Sequence, residues 1–386
     1  MKRFILGFLA AVWLPAQAAD NLVVVTIDGL RWQEVFRGLD HNLANNTEFS
    51  ARAEQLESLF GTAENSTAGV AKEGSESPAE KLMPFFHGTI AKQGQLYGNR
   101  DQGDCMQVSN PWYFSYPGYN EILTGKPDPA IDTNGKIANP NVTFLEWLNQ
   151  QTAFRGKVYA FGSWDVFPYI INEERSGVPV NAGFEPASGK KLTAMEKLLN
   201  QLQQEIPSPW KTVRLDAFTH HFALEQIKKT KPRVVYIAYG ETDDFAHDGH
   251  YDQYVLAAHR TDAFIAELWQ TLQSMGHYRD NTNLIVTTDH GRGSHADDWQ
   301  HHASKASIDG YMKSLATFKE GIVGSNNVWF AAMGPDIQPG NTMPEATCAS
   351  SSNIAATAIA TLGLDWNRVS PAAGASLPVL VGQSAK

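Results

Sequence analysis

The sequence predicts an α/β fold with a largely parallel central sheet and helices on both of its faces. Three apolar runs, Leu22–Asp28, Val234–His247 and Leu284–His290, each read as a buried strand that leads into carboxylate or imidazole side chains. The segment 216–229 has the pattern of an amphipathic helix. Parallel strands joined by crossover helices end at the same edge of a sheet, so we expect the metal-binding side chains to lie together there.

The first eighteen residues have the composition of a secretory signal peptide. A basic start at 1–3 precedes an apolar run at 4–14 and an Ala-x-Ala sequence at 16–18. The apolar run is too short to span a bilayer, and we expect cleavage after Ala18, with a retained anchor as the alternative. Because no later apolar run approaches membrane length, the sequence predicts a secreted or periplasmic protein with no membrane span after cleavage.

Acidic residues outnumber basic ones, with 41 Asp and Glu against 31 Lys and Arg, and the formal net charge is −10. This balance argues against a nucleic-acid-binding surface, which requires a basic face. It is compatible with a small anionic substrate, because bound divalent cations would dominate the field near the site.

The length allows one large domain with insertions or two domains, and we predict a single domain over residues 19–386. Residues 37–80 are rich in Asn, Glu, Ser, Ala and Gly and read as an exposed helix with loops, which predicts a first insertion. Residues 175–210 lack a strand pattern and contain a helical segment at 192–204. They are predicted to form a second insertion that packs over the active-site edge.

Cys105 and Cys348 are the two cysteines of the chain. In an oxidising compartment an even pair can form a disulfide, and two free buried thiols are the alternative. Cys105 lies ten residues before Ser115, so a bridge there would brace the segment that leads to this serine. Neither cysteine has the CxxC spacing of a thiolate zinc site.

Ser115 is the candidate nucleophile. It precedes Pro117 and Gly118, which favour a sharp turn at the start of a helix, and an apolar run follows up to Thr124 and Gly125. The N-terminus of a helix presents unpaired N–H groups to an incoming anion. An ordinary turn with a surface serine is the alternative interpretation.

Asp28 follows the first strand, and a metal ligand or a helix N-cap are the two interpretations of this residue. Asp243 and His247 follow the second strand and are four residues apart, so both side chains face the same side of a helical turn and can hold one ion. A capping or surface pair is the alternative. Asp244 and His250 lie nearby but are not predicted to be ligands.

The third strand ends in adjacent Asp289 and His290, and Gly291 after them allows the backbone to turn so that both face one metal. This is the most specific pattern in the chain. Two histidines farther along, His301 and His302, are candidates for the last ligand. We favour His302, because it begins the turn at Ala303-Ser304.

The nucleophile segment resembles that of the alkaline phosphatase superfamily, in particular its type I phosphodiesterase, nucleotide pyrophosphatase and sulfatase-like branches. Their motif has Thr, Ser or Cys, then x-Pro, and Thr-Gly nine and ten residues after the nucleophile, as at Ser115, Pro117, Thr124 and Gly125. The resemblance extends from Asp28 to about His302, with the motifs in the order of the superfamily. It implies an alkaline phosphatase-like fold and a two-zinc site. The implied ligands are Asp28, Ser115, Asp289 and His290 for one ion, and Asp243, His247 and His302 for the other.

The resemblance also implies a second catalytic residue and one departure from the family pattern. In the phosphodiesterase branch a glycine is followed four residues later by an asparagine that holds a phosphoryl oxygen, and Gly135 and Asn139 have this spacing. A turn asparagine is the equally weighted alternative. The branch often takes its last histidine from His-Gly-Pro near the C-terminus, but this chain has Met333 before its Gly-Pro. We therefore assign that ligand to His302.

Carboxylate and imidazole ligands without thiolates suit Zn²⁺, and two such ions can clamp a tetrahedral anion. The predicted function is a phosphodiesterase or phosphomonoesterase that acts through a covalent phosphoserine on Ser115. The alternatives are a sulfatase-like hydrolase, disfavoured because Tyr119 occupies the position of the sulfatase arginine, and a phosphoryl transferase, which normally carries membrane helices. A metal-binding or anion-binding relic without turnover is the non-enzyme alternative.

Overall fold

A seven-stranded sheet organises the protein in the computed structural model, which describes residues 18–61, 76–340 and 348–382. The strand order in this sheet is β2-β8-β7-β1-β6-β4-β5, and β3 and β9 form a separate pair. The strands are β1 (Asn21–Ile27), β2 (Gly94–Tyr97), β3 (Met106–Gln107), β4 (Val158–Gly162), β5 (Val180–Ala182), β6 (Val234–Tyr239), β7 (Thr282–Thr287), β8 (Phe330–Met333) and β9 (Ala349–Ser350).

The sheet is largely parallel, which confirms the predicted fold class. β1 lies between β6 and β7 and is parallel to both, and β4 and β5 continue in the same direction. Only β8 runs antiparallel to its neighbours, β7 and β2. The three strands predicted from the apolar runs are therefore adjacent, with the N-terminal one in the centre.

Helices lie on both faces of the sheet, also as predicted. Short 3₁₀ or π turns occur at Phe86–Ile90, Arg100–Gln102, Lys313–Leu315 and Ser351–Asn353. The α-helices are α1 (Trp32–Arg37), α2 (His41–Ala44), α3 (Ala53–Phe60), α4 (Pro78–Leu82), α5 (Ala91–Gln93), α6 (Ser115–Thr124), α7 (Phe144–Gln150), α8 (Phe167–Ile170), α9 (Glu173–Ser176), α10 (Ala194–Glu205), α11 (Asp216–Thr230), α12 (Glu241–His247), α13 (Tyr251–Ser274), α14 (Lys305–Asp309) and α15 (Ile354–Ala360).

Residues of β1 alternate between two apolar cores, because successive side chains of a strand point to opposite faces. Leu22 and Val24 belong to the core that also contains residues of α6, α7 and α15. Val23 and Val25 belong to the core formed with α3, α11 and α13. Since both faces are covered, every residue of β1 is buried and its sequence is an almost continuous apolar run.

The carboxyl ends of the three central strands lie at one edge of the sheet. β1 ends directly before Asp28, β6 leads through Gly240 into α12, and β7 ends two residues before Asp289. Because these strands are parallel and adjacent, the residues that follow them are close in space. This arrangement positions the candidate site.

The predicted insertions differ in part from the structure. Residues 37–80 contain α2, α3 and the start of α4, although 62–75 lie outside the described residues. The segment 175–210 contains α10, close to the predicted helix at 192–204, but it also contains β5, so the statement that it lacks a strand was wrong. β5 is three residues long, which is too short for a pattern of period two to be recognised.

The two cysteines form a disulfide between the strands of the small sheet. Cys105 precedes β3 and Cys348 precedes β9, and these two strands are parallel neighbours. The 3₁₀ turn after β9 packs against α6, where the hydroxyl of Ser352 donates to Glu121 at 2.8 Å. The bridge thus connects the C-terminal part of the chain to the segment that leads into α6.

The predicted signal peptide at 1–18 lies outside the described residues except for Ala18. Across the parts of the chain that are described, no helix combines the length and apolar character needed to cross a membrane.

Candidate active site

Four of the predicted ligands meet at the ends of β1 and β7. His290 Nε2 lies 3.4 Å from Ser115 Oγ and 3.4 Å from Asp28 Oδ1. The same nitrogen lies 3.5 Å from Asp289 Oδ2. The other ring nitrogen, Nδ1, donates to the carbonyl of Gly291 at 2.9 Å, so Nε2 of a neutral ring carries a lone pair that faces this group.

Two carboxylate oxygens in this group lack the partners that buried oxygens normally have. Asp28 Oδ1 and Asp289 Oδ2 are buried and accept no hydrogen bond from any described residue. A buried carboxylate without compensation is costly, and unpaired buried polar atoms are rare in native proteins. Both atoms face His290 Nε2, so one cation among them would satisfy all three. The residues present therefore fit a metal ion.

Asp243, His247 and His302 form a second group next to the first. His247 Nε2 lies 3.0 Å from His302 Nε2 and 3.2 Å from Asp243 Oδ2. His302 Nδ1 donates to the carbonyl of Tyr113 at 3.0 Å, which leaves its Nε2 unprotonated in a neutral ring. Ligand atoms at about 2.1 Å from a tetrahedral zinc ion stand roughly 3.3 Å apart, so these spacings fit one ion.

The structure distinguishes between the two candidate histidines after β7. His302 is buried and its ring stacks on His290, with ring centroids 3.8 Å apart. His301 is only partly buried, and its ring contacts Phe318 instead. The structure thus brings His302, the favoured residue, to the site and leaves His301 outside it.

Ser115 is the first residue of α6, where the predicted turn and helix occur. A Cβ at Gly118 would lie 2.4 Å from the backbone oxygen of Asp289, so only glycine allows α6 to approach the end of β7 this closely. This contact explains the glycine after Pro117. It also sets the distance between Ser115 and the ligands on β7.

The turn before Ser115 has an unusual backbone conformation that serves the second ligand group. Tyr113 has φ +59°, a left-handed value that costs a non-glycine residue free energy. The side chain of Asn110 holds this turn by accepting hydrogen bonds from the backbone N–H groups of Trp112 and Tyr113 at 3.1 and 3.0 Å. In this conformation the Tyr113 carbonyl receives the hydrogen bond from His302.

Two residues orient Asp28, and neither was predicted. The hydroxyl of Tyr119 donates to Asp28 Oδ2 at 2.8 Å, which leaves Oδ1 directed at the first group. The hydroxyl of Thr242 donates to the backbone oxygen of Asp28 at 2.5 Å. Tyr119 lies four residues after Ser115 in α6 and shares its helix face, so the helical period was a signal that could have found it.

Charges in the first group shift one another's pKa values. Burial, and then the charge of Asp243, raises the pKa of Asp28, and burial and the charge of Asp28 raise the pKa of Asp289. Burial by itself lowers the pKa of His290, but the carboxylates of Asp289 and Asp28 raise it to about 9. The metal-free site therefore retains protons that a bound dication would displace.

The prediction that Asn139 is catalytic was wrong. Asn139 is fully buried, and its amide donates to the side chain of Asn120 and the carbonyl of Ile170 at 3.2 and 3.0 Å. Asn134, five residues earlier, lies beside Ser115 instead, and its Oδ1 accepts from the backbone N–H of Tyr116 at 3.0 Å. The Gly-x₃-Asn spacing misled the assignment, whereas the Asn-Gly turn at Asn134 carried the usable signal.

Replacing Asn134 with alanine is expected to lower kcat/KM for a phosphoester by about 10²-fold, because one donor to a developing phosphoryl charge is lost. Asn139→Ala serves as the matched control: it removes a buried amide, and it should lower the free energy of unfolding with little change in kcat per folded molecule. Steady-state kinetics and denaturant unfolding of both variants measure the two effects. The reverse pattern, with loss of kcat in the Asn139 variant alone, would contradict this assignment.

A cavity of 170 Å³ opens beside Ser115. Its walls include Asn134, Trp164, Asp243 and Asp244. Thr212 and Val213, which directly follow the segment 175–210, also line it. Trp210 of that segment packs on Phe245 of α12 and donates to Asp248 at 2.8 Å, so the segment reaches the active-site edge as predicted. A second cavity, of 560 Å³, lies against β5 and contains none of the predicted ligands.

A family model of type I phosphodiesterases and nucleotide pyrophosphatases matches residues 134–330, which is just over half of the chain. The chain belongs to this family. The match includes five of the predicted metal ligands and begins after the other two, Asp28 and Ser115. As a type I phosphodiesterase family member, the protein is an ester hydrolase of the alkaline phosphatase superfamily, whose members are metal-dependent.

Solved structures with the same fold include both phosphatases and sulfatases. Wild-type alkaline phosphatase PafA has a TM-score of 0.57 at 11% identity, with 96% of this chain and 100% of PafA covered. A 2-O GAG sulfatase, BT1596, has a TM-score of 0.51 at 12% identity, with 90% and 71% covered. The lipoteichoic acid synthase LtaP from Listeria monocytogenes has a TM-score of 0.50 at 12% identity, with 91% and 73% covered. At sequence identities this low, the similarity to these three structures shows that they share the fold and nothing more. No curated protein matches the sequence.

Proposed function

We propose that the protein is an exported hydrolase of small phosphoesters that binds two zinc ions and uses Ser115 as a covalent nucleophile. The observation that carries this proposal is the pair of unpartnered buried oxygens, Asp28 Oδ1 and Asp289 Oδ2, which face His290 Nε2 beside Ser115 Oγ. Buried carboxylates in such an arrangement call for a cation, and imidazole with carboxylate ligands favours Zn²⁺. The second group, with its two facing imidazole nitrogens, supports a second ion.

The zinc ions would supply positive charge for the phosphoryl group and for the oxygens that enter and leave. The chain itself provides the nucleophile: Ser115 Oγ gives its proton to water and forms a bond to phosphorus as the bond to the leaving oxygen breaks, which gives a phosphoserine. The leaving oxygen then takes a proton from water. A second water attacks phosphorus, Ser115 Oγ departs and regains a proton, and inorganic phosphate or a phosphomonoester is released.

Other residues of the chain orient the phosphoryl group in this scheme. Ser115 is the first residue of α6, and the dipole of this helix favours an anion at that end, although the N–H groups of Tyr116 and Gly118 already have partners. Asn134 presents amide donors from the other side of the cavity. The orienting contact of Tyr119 with Asp28 keeps one carboxylate oxygen directed at the site.

The rival reactions of this fold have less support. Tyr119 occupies the position at which the sulfatase motif has an arginine, and its hydroxyl is engaged by Asp28. The cavity beside Ser115, at 170 Å³, favours a small substituent on the phosphoryl group over a polymer, in line with the acidic composition that argues against nucleic acid. Transfer of the phosphoryl group to an acceptor other than water uses the same residues and is separated from hydrolysis only by product analysis.

Three chromogenic substrates test the reaction class: p-nitrophenyl phosphate, bis-p-nitrophenyl phosphate and p-nitrophenyl sulfate. We expect zinc-dependent release of nitrophenol from one or both phosphoesters, and the ratio of the two rates assigns monoesterase or diesterase activity. A sulfatase rate above both phosphoester rates would overturn the proposal. Absence of turnover with all three, in protein that binds two zinc ions, would favour the relic.

The proposed export has support at the first described residues. The backbone nitrogen of Ala19 lies 2.8 Å from Asp336 Oδ2, and Ala19 is 4% exposed. Cleavage after Ala18 would turn this nitrogen into an ammonium group beside a carboxylate, which is a stronger pairing than the amide makes. N-terminal sequencing of protein from the periplasm or medium should begin at Ala19. A mature chain that begins elsewhere, or one that retains residues 1–17, would contradict this processing.

A further inference from the structure

Arg292 comes directly after Asp289-His290-Gly291, and its side chain turns back into the protein. It is 1% exposed, although an arginine is costly to bury unless its charge is paired. Its Nη1 donates to Asp243 Oδ1, its Nη2 to the carbonyl of Gln300, and its Nε to the carbonyl of Trp299 at 3.2 Å. One guanidinium therefore connects β7, α12 and the loop that precedes His302.

The contact with Asp243 divides the two oxygens of this carboxylate. Oδ1 accepts from Arg292 and lies 3.7 Å from His302 Nε2, while Oδ2 has no contact with Arg292 and lies 3.2 Å from His247 Nε2. A carboxylate held in this way offers one oxygen to a metal ion and cannot rotate freely. The planar guanidinium is suited to this task because it presents several donors in fixed directions, which an ammonium group does not.

The loop contacts act on the other ligand of the same group. Trp299 and Gln300 are three and two residues before His302, and their carbonyls accept from the guanidinium. Trp299 is fully buried, so the loop is anchored at this end. Arg292 thus sets the distance between α12, which carries Asp243, and the loop, which carries His302.

Gly29 shows how little freedom the guanidinium has. A Cβ at this position would lie 2.6 Å from Arg292 Nη1 and 2.7 Å from Asp243 Oδ1, and the residue has φ +58°. Glycine therefore allows the turn after Asp28 to pack directly on the Arg292–Asp243 pair. The turn that follows Asp28, a residue of the first ligand group, therefore restrains the Arg292–Asp243 pair next to the second ligand group.

We propose that Arg292 is a positioning residue for the second metal ion, an inference that rests on the proposed two-zinc function. It fixes Asp243 with one oxygen toward the ion, and it fixes the loop that presents His302. Arg292 is not among the residues that line the cavity beside Ser115, so it acts through these ligands and not on the substrate. Its loss should weaken one of the two ions selectively.

The experiment compares Arg292→Met and Arg292→Lys with wild type and with Arg214→Met, measuring zinc per chain after dialysis against buffered free zinc. Arg214 is the matched control, because it is also fully buried, and its guanidinium donates to Thr219 and to the backbone oxygen of Asn181 rather than to any predicted ligand. We expect wild type and the Arg214 variant to bind two ions. Both Arg292 variants should retain one ion tightly and bind the other about 10–100-fold more weakly, as is typical for loss of a residue that orients a metal ligand.

Two further readouts separate positioning from general destabilisation. A His302→Ala variant should lose the same ion as Arg292→Met, and saturating zinc should restore kcat in the Arg292 variant but not in the His302 variant. If Arg292→Met binds two ions with wild-type affinity, or loses both ions in step with unfolding as measured by circular dichroism, the inference is wrong. If Arg292→Met does not fold, the Lys variant, which keeps the charge, decides by the same measurement. Wild type that binds fewer than two ions would instead contradict the proposed function.

Discussion

Replacing Ser115 with alanine should lower the turnover of the best phosphoester substrate by roughly three to six orders of magnitude, because the atom that bonds to phosphorus is removed. Binding of inorganic phosphate should change much less, since the proposed metal ions and the amide of Asn134 remain. Oγ is one of four predicted ligands in the first group, so zinc content at saturating zinc should stay near that of wild type. Steady-state kinetics, metal analysis and isothermal titration with phosphate measure these three quantities.

Two further variants sharpen this experiment. Ser115→Thr keeps a hydroxyl at the start of α6 and should retain measurable turnover, because threonine is also used at this position of the superfamily motif. Ser274→Ala removes an exposed hydroxyl at the end of α13 and should behave as wild type. Near wild-type kcat in Ser115→Ala would show that the reaction proceeds without a covalent phosphoserine. A phosphoenzyme that can be trapped in wild type but not in Ser115→Ala would support the phosphoserine intermediate.

Removal of metal with a chelator should abolish activity by more than roughly 10³-fold, because several kcal/mol of charge stabilisation in the transition state are lost. Zinc should restore the activity, whereas calcium should not, since imidazole ligands disfavour it. Zinc at one hundred times its Kd stabilises the native state by about 2.7 kcal/mol per site, so the unfolding temperature should rise by roughly 5–10 °C. An enzyme that keeps its rate after exhaustive chelation would contradict the metal centre.

The stability of the metal-free protein should fall as the pH rises from 6.5 to about 9. Asp28, Asp289 and His290 all have folded-state pKa values above their ordinary ones, so their contribution is fully present at low pH and is lost through those raised values. The depressed pKa of Asp243, where His247 and Arg292 oppose the effect of burial, gives no change in this range, because the group is ionised in both states.

Zinc reverses this trend because it replaces the retained protons. The stabilisation by zinc should therefore grow with pH over the same interval, and proton release should accompany binding. Differential scanning calorimetry at several pH values, with and without zinc, measures the first effect, and titration in buffers of different ionisation enthalpy measures the second. A metal-free protein whose stability rises from pH 6.5 to 9 would contradict the proposed charge arrangement.

The positions of the predicted ligands could be inferred from the sequence where a ligand directly follows a recognisable strand. Each of the three central strands is an apolar run that ends in its ligands, so Asp28, Asp243 and Asp289 could be placed at one edge before any coordinates were known. Asn139 was misassigned because local spacing does not show which of two loop asparagines faces α6.

The hydrogen bonds that orient the predicted ligands could not be predicted from sequence patterns. The donation from Arg292 to Asp243 joins residues 49 positions apart, and that from Tyr119 to Asp28 joins residues 91 apart. Neither pair belongs to a shared motif, because each depends on the way in which β7, α12 and α6 pack. β5 was missed for a different reason, since three residues do not define a period.

The central place of β1 in the sheet has a consequence for the order of events during synthesis. Contacts of this strand and of the turn after it span long stretches of chain: 210 positions separate Thr26 in the strand from Tyr236, and 260 separate Gly29 in the turn from Asp289. Such non-local pairing makes folding slow, and here it cannot begin until β6 and β7 have left the ribosome. We therefore expect nascent chains that stop before Thr282 to remain protease-sensitive, an unfolded state that is compatible with the proposed export.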